Sequence, residues 1–170
     1  MSGALEIRTC RHEEVPVIEA AMRSPGRSQF HLRRFTEQRS GASEYLIAWL
    51  DGKPVGHLNL RWSSHEEPVL RLLGSFPEIN ALGVWPPELR SLGLGRALVA
   101  EAEARARARG ADRIGLAVGL ENHRARALYV TLGFLEWFAG SLTDSWFWID
   151  DDGVEHEDSE VCTYMVKDLT

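Results

Sequence analysis

A chain of 170 residues, 44% hydrophobic and 26% charged, has the make-up of an ordinary globular protein. One domain over residues 1–170 would bury about 70% of its unfolded surface. The formal charge of −6 argues against nucleic acid as a partner. No apolar run, Tyr45 to Leu50 included, is long enough to enter a membrane as a spanning helix. The opening MSGALEIRTC shows no basic segment followed by an apolar one, and Cys10 and Cys162 stand in no metal-ligand spacing, so a cytoplasmic protein with free thiols is expected.

Residues 4–9 alternate as a short strand, and 13–22 read as a helix with Pro16 in its first turn. A loop, SPGRSQ, leads to a second helix over 30–41, stopped by Gly41. EYLIAWL and VGHLNLRW flank Asp51-Gly52 as an antiparallel hairpin. Residues 63–77 are expected to be irregular, a loop over a site. EINALGVW (78–85) is a buried strand broken by Pro86-Pro87, and a long helix follows the glycines after it. In that helix Glu101–Arg105 and Glu103–Arg107 are spaced for ion pairs. RIGLAVG is a further strand, residues 122–132 a helix ended by Gly133, and two strands follow over 134–149 and 154–167. This order predicts an α/β protein, a mixed central sheet of about seven strands with helices on both faces.

Gly93 and Gly95 stand where the longest helix should begin, at a cost in conformational entropy that asks for a reason. The first N–H groups of a helix lack partners and lie at its positive end, and glycines let an anion approach them. The GxxxxGK[ST] phosphate loop is absent, and Leu98 stands where a dinucleotide fingerprint needs glycine or alanine. A helix that merely starts after a glycine loop remains the alternative.

Two elements in order narrow the choice: Arg90-Ser91-Leu92-Gly93-Leu94-Gly95 opening a helix, then Asn122-x-x-Ala125-x-x-x-Tyr129-x-x-x-Gly133-Phe134. Together they resemble the signature of the GNAT superfamily of acyl-CoA N-acyltransferases, and the flanking order of strands and helices is similar over most of the chain. The resemblance implies a GNAT-like fold with splayed central strands and acetyl-CoA as co-substrate. Its pantetheine arm would lie along Leu82, Gly83 and Val84, and its pyrophosphate on the turn from Arg90 to Arg96. Asn122 would meet the cofactor or serve as a helix N-cap. Tyr129 would be the general acid at the leaving thiolate, or a packed structural tyrosine. An N–H of Leu82 or Val84 would polarise the carbonyl.

The base is less determined. Glu78 lies where some members carry a basic glutamate, or it is a strand-end carboxylate facing solvent. Asn80 points to the same side and can hold a relay water. The family's other location for a base falls near Ala117, which cannot act. The histidines show no ligand spacing, so no metal is expected. Eight acidic residues and no lysine or arginine lie between Ser141 and Glu160, where Trp146 and Trp148 share one side of a strand. That pattern suggests a cationic amine as acceptor, small molecule or peptide; a solvated hairpin packing on the core or on a second subunit is the alternative. The implied reaction is direct acetyl transfer to a primary amine. A coenzyme-A-binding sensor without catalysis and a protein lysine or N-terminal acetyltransferase stand as alternatives, with a homodimer allowed for.

Overall fold

The computed structural model describes residues 3–170. Eight strands form a single sheet: β1 (Leu5–Thr9), β2 (Arg27–Ser28), β3 (Ser43–Leu50), β4 (Lys53–Arg61), β5 (Glu78–Val84), β6 (Arg113–Gly119), β7 (Leu135–Asp150) and β8 (Glu155–Asp168). Their order across the sheet is β1-β3-β4-β5-β6-β8-β7-β2. Helices α1 (Val15–Ala21), α2 (Phe30–Arg39), α3 (Glu67–Leu73), α4 (Leu94–Ala108) and α5 (His123–Thr131) cover it.

The helices divide because each strand alternates its faces. In β3, Leu46 and Ala48 join the cluster under α4, whereas Tyr45, Ile47 and Trp49 pack with Val15, Ile18, Met22 and Phe35 of the α1–α2 side. Helix α4 presents Leu94, Leu98, Ala102 and Ala106 at four-residue steps, and Leu98, Ala102 and Ala106 are fully buried. Both expected ion pairs of α4 form, Arg105–Glu101 at 2.9 Å and Arg107–Glu103 at 3.7 Å. Arg105 also reaches Glu44 and Thr9, so it ties the helix to the edge strands rather than lying on a solvated face.

Two expectations need correction. The sheet has eight strands because Arg27 and Ser28, expected as loop, pair antiparallel with Asp150 and Ile149. Residues 63–77 are not wholly irregular: they contain α3, with Pro68 in the first turn and Gly74 ending it at φ 85°. Two turns of helix are too short for a clear apolar period, and Val69 alone is buried from it, beside Phe76, Leu142 and Tyr164.

The feature that positions the site is at the sheet's centre. β5 and β6 run parallel but pair only at Glu78–Gly115 and Ile79–Leu116, and then part. On the other side of β5, pairing with β4 shifts between Asn59–Asn80 and His57–Gly83, so Ala81 and Leu82 face Leu58 alone. This is a β-bulge, and Ala81 holds a left-handed φ of 54° within it. A bulge bends its strand, here at the point where β5 leaves β6.

Alanine in that conformation costs about 1–2 kcal/mol. Ala81→Gly removes the strain but frees the unfolded chain by a similar amount, so stability should change by less than about 0.5 kcal/mol. Ala81→Val should lower stability by at least about 1 kcal/mol in urea unfolding, because a branched side chain tolerates this φ worst. Equal values for the two variants would show that the bulge is not conformationally demanding.

Candidate active site

The gap between β5 and β6 leads to the start of α4. Before that helix the chain makes a short 3-10 turn (Pro87–Leu89), and then Ser91 (φ 66°) and Gly93 (φ 88°) both take left-handed conformations. Alternation of this kind gathers backbone N–H groups into a concavity, and α4 adds its own unpartnered first turn. Arg90 reaches back to the Val84 carbonyl at 3.4 Å, and Arg124 donates to the Ser91 hydroxyl at 2.7 Å. Leu92 and Arg96 are exposed, and Leu94 turns into the core. A Cβ added at Gly95 would sit 3.6 Å from Leu128, an ordinary contact, so the fold itself does not require that glycine.

Leu82, Gly83 and Val84 line the gap half-buried. Here glycine is required: a Cβ at Gly83 would meet the His57 ring at 2.5 Å. Burial is the main cause of His57's pKa falling to about 3, so its ring is neutral, packed 5.2 Å from that of His31.

Asn122 caps α5, its side-chain oxygen accepting from Ala125 N at 3.2 Å. Tyr129 is buried in the cluster that holds Ile79, Leu98 and Leu116, with Phe134 edge-on at 5.7 Å. Burial alone pushes its phenol up to about 12, so it stays protonated at neutral pH.

Glu78 does not face solvent. It is 2% exposed, and its Oε2 accepts from the Tyr164 hydroxyl at 2.9 Å. Tyr164 lies on β8 opposite Ala117, and its ring occupies the space that a side chain at Gly115 would fill. The other Glu78 oxygen lies 3.4 Å from His65 Nδ1. His65 Nε2 is 3.1 Å from Asp144 and 3.3 Å from Glu66. Asp144 and Glu78 raise His65 to about 9, against burial. Arg61 Nη1, at 2.7 Å from His65 Nδ1, instead favours the neutral ring. Competing demands of that kind suit a group that gains and loses a proton. Burial and the hydrogen bond to Asp144 raise Glu66 to about 7. Burial alone would raise Asp144 too, but hydrogen bonds to His65 and Glu66 hold it below the usual carboxylate range. Ligand atoms of His65, Glu66 and Asp144 lie within 4.8 Å of one another, a grouping the histidine spacing does not reveal.

His65 opens into a cleft of about 510 Å³ beside the bulge, shared by Asn80, Ala81, Trp146 and Trp148. Three acids of the β7–β8 hairpin are engaged elsewhere. Asp150 caps its own turn and pairs with His156 at 2.8 Å, Asp151 lies 3.4 Å from Arg23, and Asp158 accepts from Trp148 Nε1 at 2.9 Å. Arg27, Arg33, Arg34 and Arg61 line the cleft instead. The cleft therefore carries both signs of charge: β7 brings Asp144 and the two tryptophans to it, and β2, α2 and β4 bring the arginines.

Sequence reasoning missed His65, Tyr164 and the arginines. A histidine between serines and two glutamates, just ahead of a buried strand, was the available signal for His65.

Residues 9–134 match the family model described as Acetyltransferase (GNAT) family. A mycothiol acetyltransferase of Beutenbergia cavernae is 44% identical over 85 residues, covering 45% of this chain and 28% of that protein. The chain thus spans less than a third of that relative. The fold is shared with an N-acetyltransferase of Staphylococcus aureus Mu50, with a TM-score of 0.68, 17% identity and coverage of 98% and 99% of the two chains. It is also shared with the PaiA N-acetyltransferase of Thermoplasma acidophilum in complex with coenzyme A, with a TM-score of 0.65, 16% identity and coverage of 97% and 99%. No helix among the described residues is long and apolar enough to cross a membrane.

The raised pKa of His65 makes a stability prediction. The folded protein holds this proton more tightly than the unfolded chain, so the contribution is complete below about pH 6.5 and is lost as pH rises through about 9. Unfolding free energy should therefore decline over that window and do so less steeply in His65→Gln. Identical slopes in urea titrations from pH 6 to 10 would remove His65 from the proton-holding cluster.

Proposed function

The chain belongs to the GNAT acetyltransferase family, and we propose that it transfers the acetyl group of acetyl-CoA directly to a primary amine bound in the cleft. The observation that carries this reading is the parting of β5 and β6 after two residue pairs, beside a turn in which Ser91 and Gly93 both take left-handed conformations. An extended pantetheine fits against Leu82, Gly83 and Val84, whose edge toward β6 is unpaired. The pyrophosphate fits the amides from Arg90 to Gly95, with Arg96, Arg124 and Asn122 at the rim. The partial match to a mycothiol acetyltransferase and the fold shared with a coenzyme A complex support this donor.

The acceptor amine must lose a proton before it attacks. His65 faces the cleft with a side chain 43% exposed and touches Glu78 behind it. The neutral fraction of His65, which grows toward pH 9, receives the proton, and Glu78, held by Tyr164, stabilises the charge, with Asn80 orienting a water or the amine. The Leu82 or Val84 N–H polarises the thioester carbonyl. Tyr129, kept protonated by burial, donates to the departing thiolate, a step that typically contributes ~10²–10⁴-fold. Cys10 and Cys162 are both buried and raised to about 12, chiefly by burial, so neither serves as a nucleophile. Two free thiols and a coenzyme A donor fit a cytoplasmic setting.

Two experiments test the reading. At 100 times its dissociation constant, acetyl-CoA should stabilise the protein by ~2.7 kcal/mol. Gly95→Val should abolish the shift and still fold, because a Cβ there makes only an ordinary contact with Leu128. Indifference of the wild-type melt to millimolar acetyl-CoA would overturn the donor assignment. Tyr129→Phe should lower kcat at least ~10²-fold in a thiol-release assay while acetyl-CoA affinity is kept. Unchanged kcat would leave Tyr129 a packing residue.

A further inference from the structure

The cleft holds more positive charge than its own carboxylates neutralise. Arg27, Arg33, Arg34 and Arg61 line it against Glu37 and Asp144. Both carboxylates are engaged. Glu37 accepts from Arg61 Nε at 2.8 Å and from Asn59 Nδ2 at 3.1 Å, and Asp144 faces His65. Arg27 lies over Trp148 at 5.2 Å and 3.9 Å from Asp158. Arg33 and Arg34 remain, and among the described residues neither makes an ion pair. Arg33 donates Nη1 to the Phe147 carbonyl at 3.1 Å, which bridges α2 to β7 across the cleft wall.

Arg34 is the more telling of the two. Its Nη1 donates to the Phe30 carbonyl at 2.9 Å, and its guanidinium lies 3.6 Å over the Phe30 ring. Its Nε is sealed from water without a partner among the described residues. Burial is the main cause of its pKa falling to about 10, the cost of a charge withdrawn from water. Arg34 thus lines the cleft with a charge withdrawn from water and no carboxylate beside it, the setting in which an incoming carboxylate gains most.

We propose that the acceptor carries a carboxylate beside its amine, held by Arg34 and Arg33 while the amine lies toward His65. This deepens the acetyl-transfer reading and rests on it for the amine. A single negative charge suits the cleft better than the double charge of a phosphate, because Glu37 and Asp144 share the same space. Trp146 and Trp148 supply apolar surface for the rest of a molecule of amino-acid type.

The test compares free L-amino acids with the same amino acids as carboxamides in the thiol-release assay, with phosphoethanolamine as a third arm. A free acid should exceed its amide in kcat/KM by roughly 10- to 100-fold, the range expected for a charge-assisted contact. Arg34→Gln and Arg33→Gln should each cut that preference, by raising KM for the acid. Arg33 is exposed, so its variant tests the idea even where Arg34→Gln disturbs folding. Calorimetric binding of the preferred amino acid without acetyl-CoA should weaken in Arg33→Gln, and that result would support the carboxylate site even if no thiol were released. Amides used as well as acids would leave acetyl transfer standing and overturn this inference. So would preference for phosphoethanolamine, a selectivity untouched by both variants, or the failure of every free amino acid both to bind and to react.

Discussion

The molecule depends on a parallel strand pair that ends early. Backbone N–H and C=O groups inside a protein need partners, and a central strand ordinarily finds them on both sides. Here β5 keeps its partners in β4 and loses those in β6 after Ile79. The freed edge can be satisfied by an extended chain that is not part of the protein. The bulge at Ala81 and Leu82 keeps the parting open, since straight strands would close it. Both walls remain rigid because each is anchored away from the gap, β5 on β4 and α4, and β6 along its whole length on β8.

A second consequence of the parting is the division of polar chemistry between the two faces of β5. On the α4 side the gap is apolar and Tyr129 lies in it without any charged neighbour among the causes of its shift. On the other face, Glu78, His65, Asp144 and Glu66 form one proton-sharing group, with Tyr164 and Arg61 at its margins. The buried phenol and the proton-sharing group are therefore kept apart by the strand itself. Their environments differ, the phenol kept protonated by burial and the imidazole made more basic by carboxylates.

Much of this was legible in the sequence, and what was not has physical reasons. The strands, α4 and α5 could be read because their apolar periods run long enough to stand out. The Arg90–Gly95 turn could be read because glycine at a helix start costs entropy that an approaching anion would offset. Helix α3 was hidden by its two turns. Glu78 stayed ambiguous because the residue that buries it, Tyr164, lies on a distant strand, and no local pattern links the two. Composition counts charges but not their partners: the side chains of Asp150, Asp151 and Asp158 meet His156, Arg23 and Trp148. The arginines of α2 carried no local signal, because the cleft they line is formed with β2 and β7.

The two-residue strand β2 has a bearing on how material passes through that cleft. Residues 23–29 are held to the sheet by Arg27 and Ser28 on β7, by the Arg23–Asp151 and Arg27–Asp158 pairs, and little else. Such half-exposed ion pairs contribute only ~0–1 kcal/mol each. Even with Arg27 stacked on Trp148, this part of the cleft wall has fewer attachments than the central strands and should be less stable locally. Amide exchange concentrated in this segment and absent from β5 would be its signature. Any loosening of this segment would change the shape of the cleft and leave β4, β5 and β6 in register, because none of those strands pairs with β2.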